Sequence, residues 1–142
     1  MLDYASSIKD FFSKKMKTLE GYYVIGECDD IVKKTIASNT FEVVISDVTI
    51  EKNIKHHNDL SIDDYLVLDS MFHDYHFLVK DGDKTAGIIY TKDIQYYYAL
   101  KATKSGDTIF LTSFRKTNKN DIKRIKNKVK RGLAKIVVEK QN

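Results

Sequence analysis

The residue types that could handle a phosphate lie far apart in the chain: an imidazole in the pair His56-His57, an ammonium in Lys101, a hydroxyl in Ser113 and a guanidinium in Arg115. An arginine offers a planar fork of donors to an anion, and a lysine offers a point charge. A serine hydroxyl can donate to a nonbridging phosphate oxygen. Donors held in place in this way stabilise the charge that grows on a phosphorane-like transition state. A base working near neutral pH completes the set, and histidine is its usual supplier. His56 and His57 end the helical run "VTIEKNIKHHN", where the helix dipole also favours a cationic imidazole. Neighbours on a helix point in two directions, so at most one of the pair faces the site. His73 and His76 lie at the entry to a set of strands and read as structural or exposed.

Ser113 and Arg115 sit on "DTIFLTSFR" (107–115), the last of four strand-like runs. The others are "YHFLVK" (75–80), "TAGIIY" (85–90) and "QYYYALKAT" (95–103), and the separators "DGDK", "TKDI" and "KSG" are short turns. This is the pattern of an antiparallel meander. A two-residue Ser-Gly turn would force Ser105 to positive φ. A three-residue Lys104–Gly106 loop needs only Gly106 there, where glycine belongs. The longer loop pairs Thr103 with Asp107 and sets Phe110 opposite Leu100, Thr112 opposite Tyr98 and Phe114 opposite Tyr96, a core face. Lys101, Tyr97, Ser113 and Arg115 then share the other face, with Tyr97 opposite Ser113. A loop one residue shorter would move Lys101 away from the other three.

Ahead of the strands the sequence is mainly helical. Leu2, Tyr4, Ile8, Phe11, Phe12 and Met16 form a stripe over residues 3–18. "YYVIG" reads as an extended patch, "DDIVKKTIAS" as a short helix capped by Asp29 or Asp30, and "FEVVIS" (41–46) as a strand. Ser61 with Asp64 makes a capping box before Tyr65, Leu66, Leu68, Met71 and Phe72. Asn118 can cap a final helix bearing Ile122, Ile125 and Val129 on one face, with Gly132 as its stop. Residues 1–142 read as one domain of α+β class: N-terminal helices packed on an antiparallel meander, closed by a basic C-terminal helix.

Charge is uneven. Residues 115–140 carry 11 Lys and Arg against Asp121 and Glu139, while the first 114 residues carry a balance of −5. A basic end of this kind points to an anionic partner, and Lys116, Lys119, Lys123 and Arg124 are its nucleic-acid-binding candidates, with His56 and Tyr97 beside the site. The histidines lack metal-ligand spacing and "DGDK" lacks the later ligands of a calcium loop, so neither metal nor cofactor is expected. Phosphate-binding glycine motifs are lacking too. Cys28 is the single cysteine, no apolar run reaches the ~18–20 residues of a membrane span, and a cytoplasmic setting is expected.

Four pieces in order, "KNIKHHNDLSIDDYLVLDSMF", "YYYALKAT", "KSGD" and "IFLTSFRKTNKNDIKR", resemble the phage-associated nuclease-like domains of the barnase–EndoU–colicin–RelE-like group over about residues 41–131. The resemblance implies helices packed on an antiparallel sheet and metal-independent cleavage of RNA. A base would remove the ribose 2′-hydroxyl proton, the oxygen would attack the adjacent phosphate, and a 2′,3′-cyclic phosphate would remain; DNA would be spared. Carried over, the family's histidine falls on His56-His57, with His57 preferred, its lysine on Lys101, and its hydroxyl and arginine on Thr112 or Ser113 and Arg115. It implies a phage or toxin effector acting in a host cell or carried on a virion, with RNA as partner and a protein inhibitor or phage structural protein as further candidates. A non-catalytic nucleic-acid-binding or phage–host interaction protein on a relic nuclease fold is the alternative, with the tyrosines of "QYYYAL" stacking on bases.

Overall fold

The structure, a computed structural model, describes residues 3–90, 94–117 and 119–140. In chain order the elements are α1 (Tyr4–Ser13), β1 (Tyr23–Glu27), α2 (Asp30–Ile36), β2 (Glu42–Ile45), α3 (Asp47–His56), the short helices α4 (Ile62–Tyr65) and α5 (Leu68–Met71), β3 (Phe77–Asp81), β4 (Lys84–Tyr90), β5 (Gln95–Ala102), β6 (Ile109–Thr117), α6 (Lys119–Lys130) and β7 (Ala134–Glu139). The class is mixed α+β, built on one seven-stranded sheet of order β1-β2-β6-β5-β4-β3-β7.

Local chemistry explains the helix boundaries. Asp3, Asp29 and Ser46 each accept a backbone N–H three residues on, capping α1, α2 and α3. The Ser61–Asp64 capping box is present at α4. α1 stops at Ser13, short of residue 18, because Lys17 bridges to Tyr23 at the edge of β1. Asn118, the expected cap of α6, and most of the turn before Ile94 lie outside the described residues.

β3 to β6 pair antiparallel in sequence order. Three pairings were not read from the sequence. β1 pairs antiparallel with β2. β2 runs parallel to the start of β6, and β7 follows α6 to pair antiparallel with β3, so a strand rather than the basic helix ends the fold. β7 is β-branched ("KIVVE") but short, and nothing local names its partner.

The β5–β6 register corrects the expected one. Thr103 pairs with Thr108 instead of Asp107, giving a four-residue loop with Gly106 at φ 77. A bulge then falls at Thr112, so Ala99 opposes Ser113, Tyr98 opposes Phe114 and Tyr97 opposes Arg115. The longer loop reverses the strand's parity and the bulge restores it. Lys101, Tyr97, Ser113 and Arg115 therefore share one face, by a route the sequence did not suggest. Phe110 moves: it opposes Lys101, leaves the main core and packs edge-on against Tyr22 at 4.8 Å.

The two faces bury different things. Helices α1 to α5 cover one, where Phe12, Val32, Leu60, Tyr65, Leu68 and Phe72 meet Tyr96, Tyr98, Leu100, Leu111 and Phe114. On the other, Ile122 and Ile125 of α6 pack on Phe77, Val79, Tyr97 and Ala99.

Candidate functional site

β2 pairs only with Ile109 and Phe110 of β6, so the rest of that edge needs other partners for its backbone carbonyls. α3 supplies them. Its Lys52 Nζ donates to the Thr112 carbonyl at 2.9 Å, and Asn53 Nδ2 donates to the Phe114 carbonyl at 3.0 Å and to the Tyr65 hydroxyl at 2.9 Å. Because β2 is parallel to β6, α3 leaves β2 in the direction in which β6 runs, and its C-terminal end comes within reach of the Arg115 charge.

His57 is the C-cap of α3, its N–H donating to the Asn53 carbonyl at 2.8 Å. The Tyr4 hydroxyl donates to the carbonyls of His57 and Leu60, tying this turn to α1. The imidazole is half-buried. Burial first, then the positive charge of Arg115, hold its pKa below the ordinary histidine value, with His56 and Lys52 adding to the effect against Asp59. An imidazole neutral at pH 7 can accept a proton.

Arg115 is held from two sides. Its guanidinium lies 4.4 Å from the centre of the Tyr97 ring and makes a bidentate pair with Asp121 at 2.7 and 3.0 Å. Asp121 also accepts from Arg124 at 3.2 Å and from the Thr117 hydroxyl. Burial works to raise the Asp121 pKa, but hydrogen bonds and charge from Arg115 and Arg124 outweigh it and keep the carboxylate ionised. The arginine is thus oriented and largely neutralised by its own protein. Lys116 is similarly engaged, with Nζ 3.2 Å from the Asp59 carbonyl and 3.5 Å from the Asp64 carboxylate.

The remaining expected site residues divide. Ser113 is half-buried next to Arg115 on β6, and His56 is exposed at the end of α3. Lys101 shares the face of Arg115 but stands four residues along β5 from Tyr97, roughly 13 Å at the usual strand rise. There it pairs with Asp83 at 3.0 Å, so it does not join the His57 cluster. Tyr97 is 6% exposed beneath Arg115 and offers no face to a base. Tyr96 and Tyr98 are core residues, Tyr96 donating to Asp64. On α6, Lys126 and Lys128 pair with Glu139 and Asp81, and Arg124 with Asp121, while Lys123 and Lys130 are exposed. The side chain of Lys119 lies outside the described residues.

Sequence reasoning missed Lys52 and Asp121. Lys52 lies four residues before His56, on the helical face of that residue and not of His57, so its spacing did not mark it. Asp121 was read only as a break in a basic run. No family model matches the chain, and neither a curated protein nor a solved structure matches it.

Proposed function

We propose that the chain is an RNA-directed, metal-independent ribonuclease whose base is His57. The observation that carries this reading is the neutral imidazole at the end of α3, with the charges of Arg115 and, more weakly, Lys52 acting to lower its pKa. In the proposed step His57 takes the proton of a ribose 2′-hydroxyl. The 2′-oxygen bonds to phosphorus, the bond to the 5′-oxygen breaks, and that oxygen takes a proton from water. Lys52 takes the part first expected of Lys101, a second cation after Arg115 whose charge acts on the base. Arg115 and Ser113 face the phosphate, with Asp121 and Tyr97 setting the guanidinium plane. The exposed lysines of α6 add salt-dependent affinity.

The test is cleavage of a structured RNA in EDTA over a range of pH. Wild-type cleavage is expected to fall only as pH drops through a value below 6.5, where His57 protonates. His57→Ala is expected to lose ~10²-fold or more. A variant as active as wild type removes His57 from the reaction.

A second reading has its own observation. The Arg115–Asp121–Arg124 arrangement ties up the guanidinium a catalyst would use, as suits a protein that binds nucleic acid without cutting it. RNA and DNA bound alike, with neither cut, decides for it.

A further inference from the structure

Lys101, displaced from the His57 cluster, lines a pocket of about 250 Å3 with Ser46, Thr49, Thr103, Phe110 and Thr112. The pocket lies where β2 ends and α3 begins, at the opposite end of the α3–β6 seam from His57. Between the two ends the seam is polar. Lys52 and buried Asn53 close it on the Thr112 and Phe114 carbonyls, and the exposed Lys52 is left at its surface. The acidic residues of α3 turn elsewhere: Glu51 pairs with Lys9 of α1 at 2.6 Å, and Asp47 and Glu51 line a separate cavity with Lys9 and Phe12.

We infer that a single RNA strand lies along the surface of this seam as in a shallow groove, in which the Lys101 pocket holds a phosphate a few nucleotides away from the one at His57. The chemistry fits. One ammonium and the Thr49 hydroxyl suit phosphate oxygens, the Ser46 and Thr112 hydroxyls donate to Thr49 and to the Ala99 carbonyl and shape the pocket, and Phe110, backed edge-on by Tyr22, suits the face of a base. Among the described residues Lys101 pairs with the exposed Asp83, and exposed pairs of this kind are worth little. Lys101 becomes a residue of substrate affinity instead of catalysis. The inference rests on the proposed RNA reading for its ligand but does not need the RNA to be cut.

The experiment measures affinity for oligouridylates lengthened one nucleotide at a time, in the full chain carrying His57→Ala so that nothing is consumed. The His57→Ala protein is expected to gain about tenfold in affinity at the length that first reaches the pocket. Adding Lys101→Met removes that gain and lowers the log–log salt slope by about 0.7, the single-strand value for one phosphate. Lys101→Arg keeps the gain. Thr49→Val, which spares the charge, reduces it. An identical length profile with and without Lys101→Met overturns the groove, as does an absence of RNA binding. A length-dependent gain in a wild-type protein that cuts nothing supports the groove while overturning the ribonuclease reading.

Discussion

The two faces of the sheet solve the same packing problem with different materials. Under α1 to α5 the contacts are between large rings: Tyr65 lies 5.5 Å from Phe114, Phe114 stacks on Tyr96 at 5.5 Å, and Phe72 meets Tyr98 edge-on at 5.3 Å. Gly87 of β4 is there to make room, since a Cβ would come within 2.3 Å of the Tyr98 ring. Under α6 the cluster is smaller and ends in charge, with Tyr97 serving as the floor for Arg115 rather than as core alone. The first face holds the molecule together. Among the described residues the second covers β3, β7 and part of β5, and leaves the start of β6 open beside Lys101 and Phe110.

The largest predicted effect lies on the first face. Phe114→Ala empties the centre of the ring cluster and is expected to cost about 3–5 kcal/mol in urea unfolding. Ile125→Ala, on the second face, is expected to cost about 2 kcal/mol and to raise hydrogen exchange chiefly in α6 and β7. Equal costs, or exchange spread over the whole chain, break the comparison. Asp121→Asn separates support from function: losing charged hydrogen bonds to Arg115 is expected to cost about 1–3 kcal/mol, while the released guanidinium tightens RNA binding. If both stability and affinity fall, Asp121 only holds the fold.

A smaller change sharpens the first face. The buried Tyr98 hydroxyl has no hydrogen-bond partner among the described residues. Tyr98→Phe is therefore expected to stabilise by about 1 kcal/mol, whereas Tyr96→Phe loses the bond to Asp64 and destabilises. The least effect comes with pH. The folded state binds the His57 proton more weakly than the unfolded chain, whose imidazole titrates near 6.5. Its contribution is complete above that value and is lost as pH falls through it toward the lower folded pKa. His57→Gln should flatten urea midpoints between pH 7.5 and 5.5 relative to wild type.

What could be read from the sequence was local. The strands of the meander, the Ser61–Asp64 box and the positive φ of Gly106 follow from neighbouring residues, and the structure has them. The Thr112 bulge carries no glycine to announce it. The parallel β2–β6 pair and the β3–β7 pair join segments far apart in sequence, which periodicity cannot see. The site was partly visible for the same reason. His57 and Arg115 were placed by residue type, but the Asp121 clamp depends on how α6 returns across the sheet, and the distance from Lys101 to Arg115 depends on where along the strand each one falls.

The central claim, that His57 drives 2′-hydroxyl attack on phosphate, is tested most directly by the ends of the products. An oligoribonucleotide cut in EDTA should carry 2′,3′-cyclic phosphate ends. The same oligonucleotide with a single 2′-deoxy residue at the cut should stay intact, and His57→Ala should leave both uncut. Cleavage at the deoxy position, or cyclic ends produced as fast by His57→Ala as by wild type, contradicts the account.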